Sequence, residues 1–360
     1  MESVEVCVVG GGVTGLAAAW RLGLAVREVI ALEQFTLDHA RGSSHGATRI
    51  FRFAYPDPLY VRMAQASLPL WRELEAASGD EILKMTGGLD VGDPAILEGV
   101  ASALIGCGAA AERLDDPQTS FPWLAVEGMA VYSPDTGVLA AARALAAMAG
   151  QARKAGAEVR EGAEVISLHP DDEGVTVRTG TGDLRARRCI VAAGAWARTL
   201  LAPAGIDLPV DVTREQVFYF RPNVDALPFI HHGALTRYGV PSFAGAAGFK
   251  VGEHTTGERT SAQGRSFEMD PEGAARVSAY VADALPDLDP EPVAFETCLY
   301  TLTPDQDFVV DVRGPLIIAS PCSGHGFKFA PLVGEMLGRL AFDVGPAFPL
   351  ERFALTRFDV

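Results

Sequence analysis

The stretch from Val4 to Glu33 leaves few folds open to this chain. Residues 4–9, VEVCVV, form a β-branched run of the kind found in buried parallel strands. Gly10-Gly11-Gly12-Val13-Thr14-Gly15 follows at once, then a helical stretch at residues 16–22, then an apolar run at residues 28–32 that ends in Glu33. This is a GxGxxG turn in the strand, turn, helix and strand setting that gives the motif its meaning. Gly10 permits the tight turn, Gly12 lets a pyrophosphate approach the backbone, and Gly15 lets the helix close on the strand. The helix N-terminus offers amides and a positive dipole to phosphates, and Glu33 can accept from a ribose hydroxyl. The motif specifies a dinucleotide without separating FAD from NAD.

The same sheet is resumed twice. Residues 140–155 read as a helix and 157–160 as a strand. Residues 175–178 and 183–186 read as a hairpin, and residues 188–196 as an apolar strand closing on Gly194. Residues 316–319 and 331–340 add a last strand and helix. A nucleotide-binding domain built from separated segments suits a flavoprotein better than a simple dehydrogenase. The expected fold is α/β (α+β), with a discontinuous Rossmann-type FAD-binding domain and an inserted antiparallel-sheet substrate domain. The first would take residues 1–84, 136–212 and 301–360; the second, residues 85–135 and 213–300. The run Gln216-Val217-Phe218-Tyr219-Phe220 marks an antiparallel strand in the insert. A chain of 360 residues accommodates both.

Composition narrows the partners. The net charge is -16 and the pI about 4.9. Such a surface repels nucleic acid and anionic membranes, so neither is an expected partner. The five cysteines, Cys7, Cys107, Cys189, Cys298 and Cys322, form no CxxC and no zinc spacing, so no metal is expected and a reducing compartment is. The acidic start, Met-Glu-Ser-Val-Glu, lacks the marks of a signal peptide, and no apolar run reaches ~18 residues. The reading is a cytoplasmic protein without a membrane span.

Two cationic clusters stand out. Residues 42–55, GSSHGATRIFRFAY, carry Arg49 and Arg52 at one helical turn's spacing. Their neighbours Ile50, Phe51, Phe53 and Tyr55 argue for burial, and a buried guanidinium suits a carboxylate. Residues 322–329, CSGHGFKF, follow the last strand and open the last helix. Lys328 lies there between two phenylalanines, where a charge is expensive unless paired. A substrate carboxylate shared by Arg52 and Lys328 would resolve that cost.

With GSSHGATRIFRFAY, SGHGFKF, ETCLYTLTPD at residues 296–305 and the start VCVVGGGVTG, the chain resembles the monomeric sarcosine oxidase and N-methyltryptophan oxidase family, within the D-amino acid oxidase superfamily. The resemblance runs in order over most of the chain. It implies an FAD-dependent oxidase that turns a secondary α-amino acid into an imine and oxygen into hydrogen peroxide, working as a monomer. It implies FAD joined through sulfur at Cys298; Cys322, near the last turn, is the competing thiol. It places the substrate carboxylate on Arg52 and Lys328, and Tyr238, His254, Ile230 and Tyr55 in the pocket. Lys250 would activate oxygen, and His45 and Arg49 would lie close to the flavin ring. Cofactor contacts are expected from Gly10, Gly12, Val13, Thr14, Gly15, Glu33, Gln34, Ser43, Ser44, His45, Thr48 and Arg49. Val165, Ala193, Gly194, Trp196, Gly324, Gly326, Phe327 and Lys328 would complete them. Two departures matter. Phe53 stands where relatives often carry histidine. The segment Pro228-Phe229-Ile230-His231-His232, which should face the pocket, is not the sarcosine oxidase version, so the substrate stays open. An amine dehydrogenase of the same fold, or a biosynthetic oxidase of pipecolate- or proline-like acids, fits the same clamp.

Overall fold

The computed structural model describes residues 1–25, 28–222, 225–345 and 348–359. At its centre the strand Glu2–Val9 lies parallel to Val29–Leu32 on one side and to Gly182–Val191 on the other. Glu158–Arg160 extends the sheet beyond Val29–Leu32, and Leu316–Ser320 pairs with the far half of Gly182–Val191, both in parallel. The near half of Gly182–Val191 turns back into an antiparallel hairpin with Gly174–Thr179 and Val165–Asp171. Val309–Arg313 closes the edge, completing eight strands. The segments that the apolar runs marked thus do rejoin the first sheet.

At the centre of the sheet the parallel strands are apolar, with Val6, Val8, residues 29–32 and residues 189–191 buried, because both faces are covered there. Val6, Val8, Ala31, Ile190 and Ile317 face one core, shared with the helices Val13–Ala25, Ala141–Lys154 and Ala330–Ala341. Cys7, Ile30, Cys189, Val191 and Ile318 face a second core, shared with Leu168, Val175 and Val177 of the hairpin. The first and last helices cross at small residues. A Cβ on Gly334 would lie 2.6 Å from the carbonyl carbon of Ala17. That crossing ties the segment carrying Lys328 to the helix that opens at the glycine turn.

The second sheet has nine strands, drawn from residues 88–133 and 211–302. It is antiparallel with one exception: Phe229–His232 runs parallel to Gly88–Gly92, with Ile230 opposite Asp90. Phe218 and Phe220 of Asp211–Phe220 point into a core with Val277 and Val281 of the helix Pro271–Ala284. A third, small sheet joins Thr48–Phe51, Leu83–Met85 and Gly137–Ala140. The helical spacing of Arg49 and Arg52 therefore does not mark a helix. Thr48–Phe51 is a strand with Arg52 just beyond it, as its β-branched and aromatic residues favour. Among the described residues no helix is long and apolar enough to cross a membrane.

The helix crossing can be tested with two glycines one turn apart. Gly334→Ala places a methyl group against the Ala17 backbone and should destabilise by about 1–3 kcal/mol. A Cβ on Gly338 meets nothing nearer than 3.8 Å. Gly338→Ala should be neutral or stabilising by up to about 1 kcal/mol, because alanine favours a helix. Equal melting temperatures for the two variants would refute the tight crossing.

Candidate active site

A cavity of about 940 Å³ runs from the glycine turn to the face of the nine-stranded sheet. At its first end Gly10 has φ +108, and a Cβ there would lie 2.5 Å from the Ala192 carbonyl oxygen. Gly15 is off the cavity. Its task is packing, since a Cβ would fall 1.8 Å from the Gly10 oxygen. Gly12 faces the cavity, and a Cβ there would meet only the Ser44 hydroxyl, at 3.1 Å. Ser44 Oγ accepts from the Val13 amide at 3.1 Å. Glu33 is buried and held in place, accepting from the amides of Gly11 at 2.7 Å and Phe35 at 2.9 Å. Its remaining lone pairs stay available for a hydroxyl. Val13, Thr14, Gln34, Val165, Ala193, Gly194 and Trp196 line the same end.

The middle of the cavity is built on the strand Ala294–Leu302. Thr297, Leu299 and Thr301 are buried, so Glu296, Cys298 and Tyr300 alternate onto the cavity side. Ser43 Oγ donates to the Leu299 carbonyl at 2.5 Å, and His45 Nε2 lies 2.9 Å from the Thr297 carbonyl. The carbonyls on both sides of Cys298 are thus gripped from the segment after the second strand. Burial pushes the Cys298 thiol up to about 11, against the pull of Arg49. Cys322 also lines the cavity and is pushed up to about 11. The neighbouring hydroxyls of Thr301 and Ser320 oppose that shift, rather than a guanidinium.

Arg49 donates to the carbonyls of Thr48, Ser43 and His45 at 2.8, 2.9 and 2.6 Å, and lies 5.3 Å from the centre of the Phe327 ring. Arg265 donates to the Ala40 carbonyl at 2.7 Å and to Thr297 Oγ1 at 2.8 Å. Lys250 donates to the Thr48 carbonyl. Burial, with Arg49 beside it, pulls Lys250 down to about 7, while Glu296 pulls the other way. Thr48 itself is fully buried and off the cavity; its carbonyl anchors both Arg49 and Lys250. Burial and Arg49 hold His45 down at about 4, and its Nδ1 has no partner among the described residues.

The far end is walled by one face of the second sheet. Register sets Tyr238 beside both Ile230 and Gly252. A Cβ on Gly252 would lie 2.7 Å from the Tyr238 hydroxyl, so glycine there makes room for the phenol. Lys250, His254, Tyr238, Ile230 and His232 all line this wall. Burial, Arg52 and Lys328 hold His254 down at about 4, so the ring is neutral. Across from it Lys328 is buried and donates to Tyr55 Oη at 2.8 Å and to the His325 carbonyl at 2.7 Å. Its own carbonyl accepts from Ser67 Oγ and Trp71 Nε1, each at 2.8 Å. Burial and Arg52 hold the Lys328 ammonium well below the usual lysine range. Tyr55 is pushed up to about 12 by burial.

Sequence reasoning missed several members of this end. Arg52 is not free: one Nη donates to the Ala54 carbonyl and lies 3.4 Å from Asp90 Oδ1, and the guanidinium stacks 4.3 Å from the centre of the Tyr55 ring. His232 Nε2 lies 2.7 Å from the same Asp90 oxygen. His325 Nδ1 lies 3.2 Å from Tyr55 Oη. Alternation around Cys298 was the available signal for Glu296 and Tyr300. His232 lies in a segment expected to face the pocket, but its pairing with Asp90, 142 residues away, gave no signal.

A family model described as FAD dependent oxidoreductase, DAO, matches residues 5–340. The chain is 33% identical to peroxisomal sarcosine oxidase of Homo sapiens, over 98% of this chain and 96% of that protein. It is 30% identical to monomeric sarcosine oxidase of Bacillus sp. (strain B-0618), with the same coverage. Among solved structures, NikD, an unusual amino acid oxidase essential for nikkomycin biosynthesis, matches with a TM-score of 0.88 and 28% identity over 98% of each chain. Glycine turn, resumed sheet and full-length relatives agree that the chain belongs to the DAO family of FAD-dependent oxidoreductases.

Proposed function

We propose that this chain is an oxidase of secondary α-amino acids, N-methyl or cyclic, that works as a monomer and yields an imine and hydrogen peroxide. The observation that carries the reading is Lys328. It is buried beside Arg52 at the cavity wall, and among the described residues it has no carboxylate partner. A charge so placed is costly until an anion arrives, and a substrate carboxylate is such an anion. Relatives named for sarcosine and for N-methyl-L-tryptophan support an N-substituted substrate.

The residues present fit FAD. Gly12 presents no Cβ to the cavity, Glu33 is fixed at the end of the second strand, and His45 Nδ1 awaits a partner. When bound, FAD supplies the redox chemistry, taking a hydride equivalent from the substrate's carbon–nitrogen unit and handing the electrons to oxygen. Gly324, Gly326 and Phe327 line the cavity near Cys298 and would hold it together with Arg49. A thioether to Cys298 is part of the proposal, as is the division of labour between residues 1–84, 136–212 and 301–360 for cofactor and the remainder for substrate.

The protein's own groups position the substrate. Arg52 and Lys328 hold the carboxylate, while Ile230, Tyr238 and His254 wall the amine and side chain. A neutral His254 can accept a hydrogen bond from the amine without repelling it. The surrounding cations favour the unprotonated amine, the form that can release a hydride equivalent. Lys250, anchored on the Thr48 carbonyl, supplies positive charge where dioxygen gains an electron.

Three outcomes test this reading. After acid precipitation the yellow colour should stay with the wild-type pellet and leave with the supernatant in Cys298→Ala; a yellow wild-type supernatant removes the covalent link. Arg52→Ala should raise the apparent KM roughly 10- to 100-fold, the worth of a charged hydrogen bond; an unchanged KM removes the clamp. The Lys250 ammonium is present below about 7 and lost above it. Reoxidation of the reduced enzyme should therefore slow as pH rises through that range. In Lys250→Met it should be slow and flat with pH, while reduction by substrate is largely kept. Equal loss in both half-reactions in stopped flow would rule out this role for Lys250.

A further inference from the structure

We infer that His232, held by Asp90, forms a second anion subsite in this pocket, and that the substrate is an N-substituted amino acid whose side chain ends in a carboxylate. The inference rests on the carboxylate clamp proposed above and narrows what that clamp receives.

The subsite follows from the single parallel pairing in the second sheet. Ile230 lies opposite Asp90, and His232, two residues on, shares its face. The other parity points away: His231 Nδ1 lies 3.1 Å from Tyr280 Oη on the helix side, while Leu89, Val91 and Phe229 fill the core. Ile230 and His232 therefore line the cavity with a buried carboxylate between His232 and Arg52. The His232 Nδ1 has no hydrogen-bond partner among the described residues.

Asp90 needs positive partners to stay buried as an anion. When Arg52 turns to a substrate α-carboxylate, His232 is the partner that remains. With a proton on both ring nitrogens, His232 donates to Asp90 through Nε2 and to the cavity through Nδ1. Arg52, Lys328 and His232 then present more donors than Asp90, the one protein carboxylate they face among the described residues, can accept. An α-carboxylate and a second, side-chain carboxylate complete the balance. An aliphatic side chain would instead cover Nδ1 without pairing it, which disfavours it about tenfold or more.

The test uses the flavin-loaded enzyme and two non-oxidisable acids of equal length, glutarate and pentanoate, titrated by their perturbation of flavin absorbance. Glutarate should bind about tenfold or more tighter than pentanoate in the wild type. The ratio should fall towards one in His232→Leu and partly recover in His232→Gln, which keeps a donor. Taking the ratio within each variant cancels any general loss of binding, and retained yellow colour confirms folding. In turnover, the kcat/KM preference for N-methyl-L-glutamate over N-methyl-L-norvaline should collapse in the same variants. A wild-type ratio near one, or one unchanged in both variants, overturns the subsite. If sarcosine still yields peroxide in that case, the oxidase reading stands and only the subsite fails. If no N-methyl amino acid is turned over, the oxidase reading itself fails.

Discussion

Backbone carbonyl oxygens hold most of the cations that line the cavity, in places where carboxylates would be the usual partners. Arg49 is fixed by the carbonyls of Ser43, His45 and Thr48, Lys250 by that of Thr48, and Lys328 by that of His325 with the Tyr55 hydroxyl. Arg265, which does not itself line the cavity, is fixed by the carbonyls of Ala40, Gly42 and Thr297. A carbonyl dipole satisfies the donors without cancelling the charge. The groups are positioned, yet the field they make stays positive for an anionic ligand. A carboxylate in each place would make a tighter pair and a neutral cavity.

That arrangement constrains the fold around it. Carbonyls inside a sheet are spent on neighbouring strands, so those available to arginine and lysine lie where the ladder stops. The segment from Ala40 to Thr48 is such a place, irregular until its last residue enters the small sheet. It is pinned across the cavity by Ser43 and His45 to the strand that carries Cys298. The turn that carries Lys328 is pinned by Ser67 and Trp71 of the long helix Pro58–Ser78. Both segments are loops by conformation and fixed by contact, as a charged site on a rigid scaffold requires.

This explains which parts were legible in the sequence. The glycine turn, the resumed parallel sheet and the alternating strand at Asp211–Phe220 are local patterns, and each appeared where its residues predicted. Cys298, Lys328 and Arg52 were found through motif resemblance and through the oddness of charge among aromatics. Gly15 packs the helix as its place in the motif predicted, while Thr48 was expected as a cofactor contact. The task of Thr48 is instead a carbonyl shared by Arg49 and Lys250, which residue type alone does not disclose. The spacing of Arg49 and Arg52 suggested a helical face, but the strand propensity of their neighbours prevailed. The pairing of Asp90 with His232 was beyond reach, because it depends on a parallel pairing between distant segments that no local pattern encodes, although the segment carrying His232 was expected to face the pocket.

Arg52 departs from the carbonyl scheme only in part: the Nη that donates to the Ala54 carbonyl also approaches Asp90, and under the proposed clamp that carboxylate bears on selectivity. Its contact with Asp90 is a single 3.4 Å approach by one Nη, while a substrate carboxylate can accept two parallel bonds from the same guanidinium. Exchange of partners therefore favours an acid over Asp90. An amine that lacks a carboxylate leaves Arg52 where it is and Lys328 without an anion. Asp90 does not become an orphan when Arg52 leaves, because the His232 contact at 2.7 Å is the shorter of its two. A pocket of carbonyl-held cations would attract any anion of the right size. One internal carboxylate that must first be displaced makes the site discriminate, since only a ligand with a better claim on the guanidinium can take it.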